Sequence, residues 1–225
     1  MPRLRTLLVG DDAQAWEDIG FTVVDSQVML GRVAVELVGT ADGRGILGWS
    51  LPGVDGHIDG LKSCRSPGDR AKPSRGDWHN NGVFSIEHVE ISTDDVDRSV
   101  AAFAVAGMQE QRRTTSTDAP RTHRVRFFAG RTVLELVGPS PANNDHKGAR
   151  FTGLGLVSDD LDRTAEVLGE RLSAPTDSAH EGRRVATLRP EGNDISVPIS
   201  ILSPHPTAGI EHIAAEARES QGIEL

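Results

Sequence analysis

The sequence predicts an α+β fold assembled from tandem βαβββ modules, with mixed sheets and helices on their outer faces. Two observations carry this. The phrase Ser92-Thr93-Asp94-Asp95-Val96-Asp97-Arg98 returns sixty-five residues later as Val157-Ser158-Asp159-Asp160-Leu161-Asp162-Arg163, each copy preceded by a strand-like run and followed by a helical pattern. The same offset holds downstream, where Leu134-Glu135-Leu136-Val137-Gly138-Pro139 falls opposite Ile199-Ser200-Ile201-Leu202-Ser203-Pro204. Whole modules are therefore duplicated.

Residues 1–62 read as a compressed copy of the unit. Leu4 to Val9 is an apolar strand, Asp11-Asp12 opens a short helix ending near Gly20, and Phe21 to Val24, Gln27 to Leu30 and Val33 to Val38 are short strands. Val35-Glu36-Leu37-Val38-Gly39 matches Leu134-Glu135-Leu136-Val137-Gly138, but Asp12 to Glu36 spans 24 residues where Asp95 to Glu135 spans 40. The loops here are shorter. A truncated repeat follows in Gly45 to Leu51 and Asp55 to Leu61, and residues 63–83, rich in Arg, Lys, Pro, Gly and Ser over most of their length, form a linker.

Residues 84–205 hold two full modules, 84–140 and 150–205. In the first, Ile86 to Ile91 is a strand, Thr93 or Asp94 caps a helix, and Val96, Val100 and Phe103 recur at helical spacing until Gly107 stops it. Met108 to Arg113, His123 to Phe128 and Thr132 to Val137 read as strands, the last two joined by the tight Ala129-Gly130 turn. In the second module, strand 151–157 precedes a helix from Asp159 with Leu161, Ala165, Leu168 and Leu172 on one face, then strands 184–189 and 195–202. Ser140 to Asp145 is a turn-rich connector. Residues 206–225 carry Ile210, Ile213 and Ala217 at near-helical spacing, which suits a docking helix.

Composition narrows the function. Among 225 residues, 33 acidic side chains against 24 basic ones give a net charge of -9, with no basic cluster interleaved with aromatics. That balance argues against nucleic-acid and anionic-membrane partners. Cys64 is the sole cysteine, so no intramolecular disulfide forms and a reducing cytoplasm is the expected compartment. The apolar run at the start ends at Val9, before Asp11-Asp12, so neither a signal peptide nor a membrane span is expected. Gly43-Arg44-Gly45-Ile46-Leu47-Gly48 has the letters of a dinucleotide fingerprint, but Trp49-Ser50-Leu51-Pro52-Gly53 follows and no helix can start there. Walker loops, paired zinc cysteines, a nucleophile elbow and tyrosine are all absent from the sequence.

Tandem modules with His88 on the first strand and Glu135 on the last resemble the vicinal oxygen chelate superfamily, which includes glyoxalase I, extradiol dioxygenases and bleomycin-resistance proteins. The resemblance implies that two modules pair to close a cup-shaped sheet around a cavity. It also implies a divalent metal (zinc, nickel, manganese or iron) on the first and last strands of each module, or, as in drug-sequestering members, none. Strand alternation supports the placement: if Val89 and Ile91 face the helix, His88 and Glu90 point into the concave face, and Glu135 joins them from the last strand.

His88 and Glu135 are thus the candidate metal ligands, and Glu135 or Glu90 the candidate proton-moving carboxylate. Two features oppose a metal. Glu135 can pair with Arg124 or Arg126 on the neighbouring strand, and the repeat offset places Gly153 and Ser200 where His88 and Glu135 stand. Arg126, His79 and the tryptophans Trp49 and Trp78 are further ligand-binding candidates; the tryptophans read equally well as core anchors. Two functions remain open: a metal-free protein binding a small molecule in the concave sheet, or a metal-dependent lyase, isomerase or dioxygenase acting on a small oxygenated substrate. The modules can pair within one chain or across a homodimer.

Overall fold

In the computed structural model, which describes residues 2–64, 79–143, 147–178 and 182–205, the strands form two mixed sheets. The first part of the chain supplies β1 (Thr6–Val9), α1 (Ala13–Asp18), β2 (Gln27–Leu30), β3 (Val33–Leu37), β4 (Ile46–Ser50), β5 (Gly56–Ile58) and β6 (Leu61–Ser63). The rest supplies β7 (Val83–Ser92), α2 (Val96–Val105), β8 (Arg112–Thr115), β9 (Thr122–Ala129), β10 (Thr132–Pro139) and β11 (Arg150–Ser158), then α3 (Leu161–Leu168), β12 (Thr176–Asp177), β13 (Arg184–Thr187) and β14 (Ile199–Leu202). The fingerprint-like glycine run leads into β4, a strand, so no helix stands there to receive a phosphate.

The eight-stranded sheet has the order β12-β13-β14-β11-β7-β10-β9-β8, and the six-stranded sheet β2-β3-β1-β4-β6-β5. In both, the central pair is antiparallel, β7 with β11 and β1 with β4, and each central strand pairs in parallel with the last strand of its own half. The smaller sheet therefore repeats the inner six strands of the larger one. At the centre of the larger sheet Val89 lies opposite Leu154, and these two residues are related by the sixty-five-residue repeat. A local twofold axis passes between them, and the two modules are joined in one sheet within one chain.

The repeated phrase performs the same task twice. Asp95 accepts the Arg98 N–H at 3.0 Å at the start of α2, and Asp160 accepts those of Asp162 and Arg163, each at 3.1 Å, at the start of α3. Behind each cap sits a buried hydroxyl pair, Ser99 with Thr93 at 2.7 Å and Thr164 with Ser158 at 2.6 Å. These pairs fix the helix start against the strand before it.

Helix α2 lies between the sheets. Phe103 stacks on Phe127 of β9, with ring centroids 4.7 Å apart, and its edge meets Trp49 of β4 at 6.2 Å; Trp49 also meets Phe151 of β11 at 5.0 Å. Leu7 pairs with Trp49 while Leu8 pairs with Glu36, so strand alternation turns Glu36 away from the larger sheet. Glu36 thus stands on the face of the smaller sheet away from α2.

An ionic cluster locks α2 to the β5–β6 turn. Arg98 holds Asp59 through two nitrogens at 2.8 and 3.2 Å and also pairs with Asp94, which accepts the Lys147 N–H at 2.8 Å. The Arg98 guanidinium, helped by that backbone N–H and opposed by desolvation, pulls the Asp94 carboxyl from 3.8 down to about 2. A carboxyl held low stabilises the fold fully above its unfolded value, and that contribution is lost as pH falls through the folded one. Carbonyl NMR of Asp94 is expected to titrate near 2, and Arg98→Ala to return the midpoint toward the ordinary carboxylate range. An unmoved midpoint would contradict the pairing.

Several boundaries differ from expectation. The strand expected over Met108 to Arg113 begins only at Arg112, because Met108 is fully buried and its N–H closes the end of α2 on the Phe103 carbonyl at 3.0 Å. Phe21 to Val24 is not a strand; Phe21 packs on Trp16 at 5.1 Å. Leu172 lies beyond α3 and bridges Leu188. The last strand starts at Ile199 rather than near 195, since Asp11 claims the Ser196 N–H at 3.1 and 3.2 Å. The tail from 206 and most of the linker lie outside the described residues.

Candidate functional site

The face of the eight-stranded sheet turned away from α2 can be built from register. Val89 and Ile91 are fully buried on the helix side, so His88, Glu90 and Ser92 stand on the other. Across β10 and β9, Glu90 is level with Glu135 and Arg126, and Ser92 with Val137 and Arg124; His88 is level with Val133 and Phe128. Across β11, His88 faces Gly155, Glu90 faces Gly153 and Ser92 faces Arg150. One β7 strand thus organises three rows of side chains.

His88 and Glu90 meet, with Nε2 3.5 Å from Oε1. That contact, together with Arg124 and against partial desolvation, holds the Glu90 carboxyl below its ordinary range. Glu90 is therefore ionised at neutral pH.

Both partners depend on glycine in the second module. A β-carbon added at Gly155 would fall within the His88 imidazole, and one at Gly153 would lie 3.0 Å from Glu90 Oε2 and from the Pro198 carbonyl. By the sixty-five-residue offset, Gly153 and Gly155 are the equivalents of His88 and Glu90. The first module supplies the candidate side chains and the second supplies the room they occupy. Gly155→Ala is expected to expel the imidazole and break its contact with Glu90, at about 1–2 kcal/mol of stability for the displaced ring. The chemical shifts of His88 and Glu90 report this directly; unchanged shifts would contradict the packing.

Glu135 is buried, at 5% exposure, and both of its oxygens are taken. Arg126 Nε donates to Oε1 at 2.8 Å and Arg124 Nη1 donates to Oε2. These arginines come from the adjacent strand β9, where alternate positions put both on the glutamate's side. A carboxylate held by two guanidinium groups is a poor metal ligand, because binding a cation would require releasing both.

The divalent metal implied by the resemblance does not fit this donor set. Gly153 and Ser200 replace the second module's ligands, Glu135 is engaged, and one imidazole and one carboxylate remain, fewer than the three protein ligands of an ordinary catalytic zinc site. Among the described residues no group of three or more His, Cys, Asp or Glu side chains is placed to hold a metal ion.

The other candidates lie elsewhere. Trp49 is fully buried between the sheets and its Nε1 donates to Ser63 Oγ at 3.0 Å, so it is a core anchor rather than a cavity wall. His79 is also buried: its Nδ1 accepts the Thr22 N–H at 3.1 Å, its Nε2 lies 2.9 Å from the Met29 carbonyl, and Phe21 packs edge-on at 5.0 Å. It ties the incoming chain to the smaller sheet, away from the cup. Trp78 lies outside the described residues. Arg126 does stand on the face that carries His88 and Glu90.

Sequence reasoning missed Gly155 and Arg112. Gly155 was legible through the offset from Glu90, whereas Arg112, level with Arg126 on β8, was assigned to a strand begun four residues early. No helix among the described residues is long and apolar enough to cross a membrane.

No protein-family model and no curated protein matches this chain. Among solved structures, a mutant of 4-hydroxymandelate synthase from Streptomyces coelicolor is similar over 98% of this chain and 100% of its own, at 12% identity and a TM-score of 0.55. Methylmalonyl-CoA epimerase from Mycobacterium tuberculosis aligns over 57% of this chain and 93% of its own, at 19% identity and a TM-score of 0.42. A mutant of methylmalonyl-CoA epimerase from Streptomyces coelicolor in complex with 2-nitronate-propionyl-CoA aligns over 52% of this chain and 95% of its own, at 19% identity and a TM-score of 0.39. The likeness that spans both sheets is one of fold.

Proposed function

The chain has the fold of the vicinal oxygen chelate superfamily, and on that scaffold we propose that it is a binding protein that holds a small molecule against the concave face of the eight-stranded sheet without a metal ion. The observation that carries the reading is the clamp on Glu135. With both carboxylate oxygens on Arg124 and Arg126, the residue that would anchor a cation instead fixes two guanidinium groups at the floor of the cup. The remaining donors of Arg124, with His88 and Glu90, offer hydrogen bonds to a ligand. Both modules lie in one sheet of a single chain, and the lone cysteine suits a cytoplasmic protein.

Amide NMR of the full chain with a fragment library, in buffer containing a chelator, tests this. Hits are expected to shift Val133, Val137, Gly153 and Gly155. Shifts confined to other surfaces, or seen only after zinc, nickel, manganese or iron is supplied, would contradict it. The second reading, a metal-dependent lyase, isomerase or dioxygenase with Glu90 as the proton-moving carboxylate, is favoured by the His88–Glu90 contact. It requires Glu135 to leave both arginines.

A further inference from the structure

The charge layout of the cup narrows the ligand class. Resting on the binding reading above, we infer that the cup takes a small organic acid, its carboxylate on Arg112 and Arg124 and its apolar part over Phe128 and Val133.

Register places Arg112 directly opposite Arg126 across β8 and β9, with Arg124 one position along the same face and Arg150 on the far side of Ser92. This face therefore carries Arg112, Arg124, Arg126 and Arg150 against Glu90 and Glu135, a local excess of positive charge in a chain whose net charge is -9. Like charges directly opposite each other on neighbouring strands destabilise a sheet. Glu135 offsets this only in part, since it engages one nitrogen of Arg124 and the Nε of Arg126. Arg112 is exposed and has no ion pair among the described residues, and the Arg124 side chain is half exposed with Nε and Nη2 uncommitted. Guanidinium forks of this kind match a carboxylate in shape and charge.

Beside this cationic row lies an apolar one. Phe128, 45% exposed, stands next to Val133 on the same face. Two residues along a strand span roughly 7 Å, so an acid reaching from Phe128 to the Arg112–Arg126 row has about the length of an arylalkyl or medium-chain acid. Glu135 and Glu90 lie in that same row, on the β7 side of Arg126, so the carboxylate end sits at the β8 edge, over Arg112 and toward Arg124, and a ligand with only one charged end keeps clear of the glutamates.

The test is a titration of the full chain, followed by amide NMR, with phenylacetate, 3-phenylpropionate and octanoate, each beside its primary amide, and with inorganic phosphate. At least one acid is expected to saturate shifts on β9 and β10, with its amide about tenfold weaker, the effect of one charge-assisted contact. Arg112→Gln is expected to remove that preference at an unchanged melting temperature. Arg113→Gln, on the other face of β8 and paired with Asp97 and Glu110, is expected to keep it. Equal binding of acid and amide, an unaltered preference in Arg112→Gln, or binding of phosphate alone would overturn the acid class while leaving a ligand cup. No shift on this face with any probe would remove the binding reading as well.

Discussion

Replacing Trp49 by alanine is expected to lower stability by about 4 kcal/mol, the scale of a large aromatic removed from a core. The indole is fully buried and touches both sheets' shared layer, through Phe103 of α2 and Phe151 of β11, while its N–H is satisfied by Ser63. The second half of the smaller sheet carries no helix of its own among the described residues, so α2 covers both sheets and Trp49 is where they meet. Denaturant unfolding measures the change. A loss under about 1 kcal/mol, typical of a surface site, would show that the indole is not a keystone and return it to the list of ligand-binding residues.

Glu87→Ala is expected to cost about 3 kcal/mol, because it strands a buried cation. The Arg183 side chain is 3% exposed; it holds Glu87 through two nitrogens, at 2.5 and 2.9 Å, and donates to the Ser203 carbonyl at 2.8 and 3.0 Å. This staple fastens β7, which bears His88 and Glu90, to the chain leaving β14. A double replacement, Glu87→Met with Arg183→Met, is expected to recover much of the loss, since a paired buried charge is often replaceable by apolar volume. If the double variant is as unstable as the sum of its parts, the two side chains are not coupled.

The tandem architecture was legible in the sequence because the duplicated phrase has an obligatory local job. Asp95 and Asp160 cap helices and the Thr93–Ser99 and Ser158–Thr164 hydroxyls pair behind them, so the residues recur wherever the geometry does. The placement of His88 and Glu90 on the face away from α2 was legible from alternation with Val89 and Ile91, whose burial is a local property of one strand. Trp49 was not, since nothing local distinguishes an indole lining a cavity from one packed on Phe103, a partner distant in sequence and brought close only by the fold. Glu135 shows the same limit in charge. The letter is identical for a metal ligand and for an ion pair, and what decides is the register that sets Arg126 opposite it and Arg124 one position along. Arg112 was displaced from view because Met108, apolar and apparently strand-like, spends its side chain on closing the end of α2.

The clamp on Glu135 is tested most directly by elemental analysis of untagged protein after dialysis against zinc, nickel, manganese and iron, with His88→Ala and Glu135→Ala treated alongside. Arginine-held Glu135 predicts far less than stoichiometric metal in the wild type and no difference among the three proteins. Stoichiometric metal in the wild type that is lost in both variants would place Glu135 on a cation instead of on Arg124 and Arg126, and would make the protein a metal-dependent enzyme candidate rather than a metal-free binder.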